Sequence, residues 1–149
     1  SRAGEAVMAE IGARIADHGG AALIVDYGDW ISRGDTLQAV RQHAFADPLA
    51  DPGLADLTAH VAFAPLADAA HPARALPLTP QGTVLERLGI TARAQALAHH
   101  MDGPALADHV AAHRRLTHPD AMGHLFKMLA VVPPDAPTPP GFNDQDPLP

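Results

Sequence analysis

The sequence predicts an α/β fold, and three stretches of the chain carry this prediction. Residues 3–17 repeat apolar side chains at helical spacing, which predicts an amphipathic helix. Ala21–Val25 is an unbroken apolar run bounded by glycines, the pattern of a parallel strand that is buried on both faces. Leu125–Val132 is a second apolar run of strand length. A helix, a tight loop and a buried strand in this order form half of a βαβ unit.

The first predicted strand ends at a carboxylate, which makes its end a candidate site. Asp26 follows the apolar run, and Gly28 is expected to let the backbone turn. Ligands of open α/β sheets bind beyond the carboxyl ends of the strands. Asp26-Tyr27-Gly28 is therefore the first place to look for a ligand. The alternative is a turn aspartate with no role in binding.

The middle of the chain is predicted to contain a strand with one polar face. Residues 36–45 favour a strand over a short helix, and Asp56–Val61 alternates between polar and apolar side chains. The polar row is Asp56, Thr58 and His60. It could line a pocket in which His60 acts as a base near neutral pH. A solvent-facing edge of a mixed sheet is the alternative.

Helices predominate from residue 64 onward, interrupted by an edge strand at 75–79. Thr79 is predicted to cap the second of them, and its first turn, Gln81-Gly82, could hold a polar ligand through backbone N–H groups. The predicted helices span residues 66–70, 80–88, 91–100 and 105–116.

Proline dominates the last part of the chain. Seven of the fifteen prolines fall between Pro133 and Pro149. Such a segment cannot bury a core. The sequence therefore predicts a folded domain over residues 1–132, followed by an extended or disordered tail over residues 133–149.

Composition excludes several classes of function. The net charge of −7 and a single lysine, Lys127, argue against a nucleic-acid surface. The chain has no cysteine, which excludes disulfides and thiolate metal sites. No apolar run is long enough to cross a bilayer, and no signal-peptide pattern opens the chain. These features predict a cytoplasmic protein without membrane insertion.

The chain has ten histidines, and two of them have the spacing of metal ligands on a helix. His109 and His113 lie four residues apart, so both rings can share one helix face. Spacing alone supplies no third ligand. A solvated helix face is the favoured interpretation, and no metal site is predicted.

Several strings of the sequence occur in a fixed order: Gly34–Arg41, Asp47-Pro48-Leu49, Ala55–Val61, Gln81-Gly82, Leu88-Gly89-Ile90, Arg115-Leu116-Thr117 and Pro139–Phe142. Together they resemble one protein family, the MidA-type S-adenosylmethionine-dependent methyltransferases. The resemblance extends over nearly the whole chain. Mitochondrial members of this family are complex I assembly factors that methylate a protein arginine. Ala62 stands where the family usually has Asp, so one carboxylate of the family pattern is absent.

The resemblance implies the C-terminal portion of a class I, Rossmann-like methyltransferase sheet with flanking helices. Ala21–Asp26 then corresponds to a later strand of the sheet and Leu125–Val132 to the closing strand. The glycine-rich loop and acidic residue that hold S-adenosyl-L-methionine belong to the family's N-terminal half. We therefore expect no cofactor-binding residue in this chain. The apolar faces of the first strand are expected to be less covered than the pattern alone predicts.

The resemblance and the strand-end positions together indicate an acceptor site for a guanidinium group. Carboxylates orient a guanidinium and offset its charge. The expected function is methyl transfer from S-adenosyl-L-methionine to a protein arginine, linked to respiratory complex I assembly, with the isolated chain inactive. The predicted catalytic residues are Asp26, Asp56 and His60, and the predicted acceptor-binding residues are Tyr27, Thr58 and Gln81.

The alternative function is a docking module with no chemistry of its own. Residues 91–116 and the proline-rich tail would then contact a substrate or partner. A protein substrate is the expected partner in either case, and a homodimer is a further option. The expected compartment is the cytoplasm of a bacterium or the mitochondrial matrix of a eukaryote.

Overall fold

Helices pack against a mixed sheet in the computed structural model, which describes residues 1–147. The helices are α1 (Arg2–His18), α2 (Ala64–Ala69), α3 (Gln81–Arg87), α4 (Ile90–Ala98), α5 (Gly103–Thr117) and α6 (Met122–Leu125). The strands are β1 (Ala22–Asp29), β2 (Gln38–Arg41), β3 (Ala44–Ala46), β4 (Asp56–Thr58), β5 (Val61–Ala62), β6 (Arg74–Ala75), β7 (Thr79–Pro80) and β8 (Phe126–Val132). In the described part of the chain, no helix has the length and apolar character that crossing a membrane requires.

The central sheet is organised around β8. It pairs antiparallel with β1 on one side and with β6 and β7 on the other. The short strand β5 pairs parallel with the last two residues of β1. The sheet order is β5-β1-β8-β6, with β7 also on β8. The two long strands that the sequence predicts are thus confirmed, and they are direct neighbours.

The core lies between the central sheet and the first two helices. Leu129 and Val131 of β8 are fully buried, and Met8 and Ile15 of α1 pack into the same core. Phe63, which precedes α2, is also fully buried and packs with Leu129. The helix predicted over residues 3–17 is confirmed, because its apolar stripe meets this face of the sheet.

The other face of β1 corrects the prediction from the apolar pattern. Leu23 is 54% exposed and Val25 is 41% exposed, so the strand is not buried on both faces. Its neighbour over most of its length is the antiparallel β8 rather than a parallel strand. The expectation that the apolar faces would be incompletely covered is confirmed for these two side chains.

Gly28 has a different role from the predicted turn. It lies inside β1 and pairs with Val61 of β5. A Cβ atom on Gly28 would lie 2.1 Å from the carbonyl oxygen of Val61. The residue is therefore needed for the close approach of two strands.

A second, outer sheet contains β2, β3 and β4, all antiparallel, in the order β3-β2-β4. The strand predicted at residues 36–45 is thus a hairpin. The strand predicted at Asp56–Val61 divides between the two sheets, since β4 joins the outer sheet and β5 the central one. Leu57, an apolar residue of that alternating segment, is 61% exposed.

The helices predicted after residue 64 are confirmed, with two corrections at their ends. Thr79 lies in β7 rather than at a helix N-cap, and α3 follows Pro80 without a side-chain cap. The short helix α6 was not predicted. It has only four residues, and it lies between Pro119 and the strand predicted from Leu125 onward. The predicted edge strand at 75–79 is present as β6 and β7.

The proline-rich segment contacts the body of the chain through ion pairs. Residues 133–147 form neither helix nor strand. Asp146 accepts two hydrogen bonds from the Arg87 guanidinium, at 2.6 and 2.7 Å, and Asp144 pairs with Arg74. The last two residues of the predicted tail lie outside the described residues. The domain boundary at residue 132 stays a prediction.

Candidate functional site

A groove opens at the carboxyl end of β1, where the sequence places its first candidate site. Its volume is about 460 Å³. Segments next to both sheets line it, since His60 directly precedes β5 of the central sheet and Thr36 lies two residues before β2. The lining residues are Asp29, Trp30, Ile31, Ser32, Arg33, Thr36 and His60.

The groove wall is fixed by hydrogen bonds and ring contacts. The backbone N–H of His60 donates to Thr36 Oγ1 at 3.1 Å. The His60 ring meets the edge of Tyr27 with centroids 5.8 Å apart and an interplanar angle of 73°. The Tyr27 ring in turn packs edge-on against the ring of Phe126, with the ring centroids 5.5 Å apart. His60 is therefore half-buried and oriented by an aromatic cluster, while one side of it faces the groove.

Asp29 is the carboxylate that lines the groove. Its Oδ1 accepts a hydrogen bond from the backbone N–H of Trp30 at 2.8 Å. Asp26, which the sequence favours, lies three residues earlier, and its Oδ1 accepts from the backbone N–H of Tyr27 at 2.8 Å. Asp26 is half-buried and does not line the groove.

Lys127 is a buried cation beside these carboxylates. It is the cross-strand partner of Asp26, and its Nζ donates to the carbonyl oxygen of His124 at 2.6 Å. Burial lowers the pKa of the Lys127 amine, and the negative charge of Asp29 partly opposes that shift. The cation and the two carboxylates thus share one end of the central sheet.

His60 is the one predicted site residue in the groove lining, and besides Asp26 and Tyr27 three more predicted residues lie outside that lining. Asp56 and Thr58 belong to β4 of the outer sheet, and Asp56 is exposed. Gln81 is only 6% exposed, and its Nε2 donates to the carbonyl oxygen of Leu116 at 2.9 Å. The side-chain amide of Gln81 therefore joins α3 to the end of α5. The structure brings together Tyr27 and His60 but not the other predicted residues.

Sequence reasoning missed six groove residues: Asp29, Trp30, Ile31, Ser32, Arg33 and Thr36. A signal was available, because they come soon after the apolar run Ala21–Val25 and include the single tryptophan of the chain. Their loop gave no spacing that distinguishes a binding loop from a surface turn.

The described residues do not fit a cradle for a nucleotide-like cofactor. Such a cradle needs a strand, a glycine-rich loop and a helix N-terminus. Among residues 1–147, the nearest match is Gly82 in the first turn of α3. A Cβ atom there would lie 2.4 Å from the Thr117 carbonyl oxygen, so protein backbone already occupies that side.

The two histidines with metal-ligand spacing make contacts between helices. His109 Nε2 lies 3.0 Å from the Ala94 carbonyl oxygen, and His113 Nε2 lies 3.0 Å from Thr91 Oγ1. Within residues 1–147 no group of three potential ligands comes together. Both rings join α5 to α4.

Three curated relatives are similar to most of this chain. Protein arginine methyltransferase NDUFAF7, mitochondrial, from Danio rerio is 37% identical over 128 residues, covering 85% of this chain and 30% of that protein. The Rattus norvegicus protein of the same name is 38% identical over 130 residues, with the same coverage of both. The Drosophila melanogaster homologue is 38% identical over 127 residues, covering 80% and 28%. The chain thus spans about 30% of the length of these relatives.

Two solved structures from Burkholderia thailandensis have the same fold. One superposes with a TM-score of 0.75 at 28% identity, covering 93% of this chain and 39% of that chain. The other has a TM-score of 0.68 at 30% identity, covers 86% and 35%, and is bound to S-adenosyl-homocysteine. The predicted fold class, α/β with the sheet of a methyltransferase and flanking helices, is confirmed.

A match over the first part of the chain shows which family the chain belongs to. Residues 1–81, more than half of the chain, match the family model described as "Putative S-adenosyl-L-methionine-dependent methyltransferase". This stretch contains β1, the outer sheet and all the groove residues. The chain belongs to this family of S-adenosyl-L-methionine-dependent methyltransferases.

Proposed function

We propose that this chain forms the acceptor side of a protein arginine methyltransferase. The observation that carries the proposal is the groove at the end of β1, where Asp29, Trp30 and His60 line one space. The names of the curated relatives support arginine as the methylated residue. The link to complex I assembly rests on the family resemblance alone.

Each of the three side chains suits one property of a guanidinium. The Asp29 carboxylate can accept hydrogen bonds from the planar group and offset its charge. The Trp30 ring offers an aromatic face for cation–π contact. His60 can accept the proton that the attacking nitrogen must lose, because a neutral imidazole has one ring nitrogen free to act as a base. Tyr27 holds the His60 ring in place.

These residues act on the acceptor arginine and do not bind the methyl donor. S-adenosyl-L-methionine supplies an electrophilic methyl group on a sulfonium sulfur. Residues 1–147 show no glycine-rich cradle for it. The proposal therefore assigns to this chain the binding and orientation of the acceptor, which is a large share of catalysis in methyl transfer.

The single tryptophan makes the proposal directly testable. A blocked heptapeptide with one central arginine is titrated into the chain, and Trp30 fluorescence and titration calorimetry are recorded. A matched peptide carries citrulline, which has the same shape but no charge. We expect saturable binding of the arginine peptide, weaker by roughly tenfold for citrulline and for the Asp29→Asn variant.

The control is Asp17→Asn, which removes a carboxylate of α1 that does not line the groove. Circular dichroism checks that all variants keep the fold. Equal affinity for the arginine and citrulline peptides, or an unaltered affinity in Asp29→Asn, would contradict the proposal.

The docking module without chemistry remains a second candidate because one observation favours it. Neither α4 nor α5 contains a fully buried residue, and Val110 of α5 is 56% exposed. If the arginine peptide leaves Trp30 unchanged while a protein substrate still binds through α4 and α5, this function replaces the first.

Several sequence-based assignments stay predictions under this proposal. Asp56 as a catalytic residue, and Thr58 and Gln81 as acceptor-binding residues, are not supported by the position of the groove. The homodimer and the compartment also stay predictions. The mitochondrial names of the relatives support the matrix if the source is a eukaryote.

A further inference from the structure

The outer sheet holds an aromatic side chain in solvent. Phe45 of β3 is 82% exposed. It follows the two-residue turn at Gln42-His43, where both residues have positive φ, so the strand is held at the edge by a tight hairpin. A single exposed apolar side chain is ordinary on a protein surface, so the argument depends on the residues that share its face.

The register places Phe45 in a strip of residues on one face of the outer sheet. Val40 pairs with Phe45 on one side and with Asp56 on the other, and Gln38 pairs with Thr58. Directly paired residues and alternate residues of a strand point to the same face. This face, the outer strip, therefore carries Gln38, Val40, Phe45, Asp56 and Thr58.

The outer strip is continuous with the groove. Thr36 and His60, which line the groove and share a hydrogen bond, are two residues from Gln38 and Thr58 on the respective chain segments. Asp56 is four residues from His60. At about 3.3 Å per residue of extended chain, the distance from groove to Asp56 is roughly 13 Å. An extended peptide would cover it with about four residues.

The charge around the strip favours a cationic occupant. Residues 29–60 contain five carboxylates, at Asp29, Asp35, Asp47, Asp51 and Asp56, and two guanidiniums. One of those, Arg41, is paired with Asp51 at 3.2 Å. Asp56 is exposed beside Val40, so its charge is available to a bound cation.

We propose that the outer strip binds the segment of the protein substrate next to the acceptor arginine, with a second cationic residue about four positions away lying at Asp56 and Phe45. The inference rests on the proposed function, because it assumes that an arginine occupies the groove. Asp56 supplies charge, and the Phe45 ring supplies an aromatic surface for the cation and its aliphatic stem. Asp56 then contributes to substrate selection.

The test compares three blocked peptides in calorimetric titrations of the chain. The first has a single arginine, the second has two arginines four positions apart, and the third has citrulline in place of the outer arginine. We expect the two-arginine peptide to bind roughly five- to tenfold more tightly than the other two. Trp30 fluorescence reports whether the groove is occupied in each case.

Two variants and one control locate the second contact. Phe45→Ala and Asp56→Asn should each remove most of the gain from the outer arginine. Phe45→Ala should leave the affinity for the single-arginine peptide within about twofold, since Phe45 is outside the groove lining. Leu57→Ala is the matched control, because Leu57 is also exposed in the outer sheet but points to its opposite face.

The failures of the two proposals are distinct. If the single-arginine peptide binds in the groove but the outer arginine adds no affinity, or Phe45→Ala has no effect, the inference is wrong and the proposed function stands. If no arginine peptide alters Trp30, the proposed function is wrong and the inference falls with it. Self-association that Phe45→Ala abolishes, without any effect on peptides, would assign the strip to a second copy of the chain.

Discussion

The central sheet and the outer sheet both consist of hydrogen-bonded strands, yet they differ in how much apolar side chain they bury. From Lys127 to Val132, β8 is buried at every position. The outer sheet buries Ala39, while Phe45 and Leu57 remain largely in solvent. Hydrogen bonding between strands is therefore common to both sheets, and burial of apolar side chains distinguishes them.

This difference separates stability from binding in the two parts of the molecule. Burial of apolar area supplies most of the free energy of folding, so the central sheet with α1 and α2 should hold the fold. The outer sheet gains little folding free energy from burial, and its exposed side chains are free to contact another molecule. The groove lies where the two sheets meet, at Gly28, Asp29 and His60.

Two leucines test the comparison most directly. Leu129→Ala leaves a cavity in the core, and we expect a loss of about 2–5 kcal/mol in the free energy of unfolding. Leu57→Ala removes a side chain that is mostly in solvent, and we expect a change of less than about 0.5 kcal/mol. Urea titrations followed by circular dichroism measure both. Comparable losses would show that the outer sheet also carries the fold.

The junction between the sheets depends on Gly28. Gly28→Ala places a methyl group against the Val61 carbonyl, and moving β5 away should cost about 1–3 kcal/mol and displace His60 from the groove. The arginine peptide should then bind more weakly.

The matched control for this change is Gly4→Ala in α1. Its Cβ atom meets nothing closer than 3.5 Å, so the substitution should stabilise the helix by roughly 0.5–1 kcal/mol. A destabilised Gly28→Ala variant that binds the peptide normally would show that β5 does not position His60.

The sequence predicted the central part of this fold better than its outer part, for a physical reason. Apolar periodicity and glycine boundaries depend on burial, and burial is strong in α1 and β8. At Asp56–Val61 the alternation predicted one strand. Chain connectivity instead assigns its two halves to different sheets, which no local pattern encodes.

The sequence predicted where the candidate site lies but not which residues line it. The rule that ligands bind beyond strand ends identified the end of β1, and Tyr27 and His60 do lie there. Asp29 was missed because β1 continues four residues beyond the apolar run, to Asp29 itself. Gln81 was included because a polar residue at a helix N-terminus has the same pattern whether it binds a ligand or, as here, another helix.

The proline-rich segment offers a smaller effect that depends on pH. Hydrogen bonds from Arg87 hold the pKa of Asp146 below its usual range. A carboxyl group whose pKa is lowered by folding stabilises the native state above its unfolded pKa of about 3.9, and this contribution is lost as the pH falls through the lower folded value.

Asp146→Asn should therefore lower the free energy of unfolding by about 1 kcal/mol at pH 7, and the difference from the unmodified chain should shrink below pH 4. Urea titrations at pH 7 and pH 3 measure it. Gln145→Ala is the control, since that side chain is exposed and its neighbour carries the ion pair. A difference that persists unchanged at pH 3 would mean that the variant acts through packing rather than charge.

The smallest expected effect is the change in Tm on adding the methyl donor. It tests a property that both sheets share, the lack of a donor-binding loop in residues 1–147. In residues 1–147 neither sheet carries a glycine-rich loop that leads into a helix N-terminus, so S-adenosyl-L-methionine should bind this chain weakly. A ligand that binds the native state raises its stability by an amount set by the ratio of ligand concentration to Kd. We therefore expect the Tm to rise by less than about 1 °C in the presence of roughly millimolar donor or S-adenosyl-homocysteine. The arginine peptide serves as the positive control in the same scans. A large rise with the donor would show that the groove holds the cofactor, and Asp29 and His60 would then be assigned to the donor instead of the acceptor.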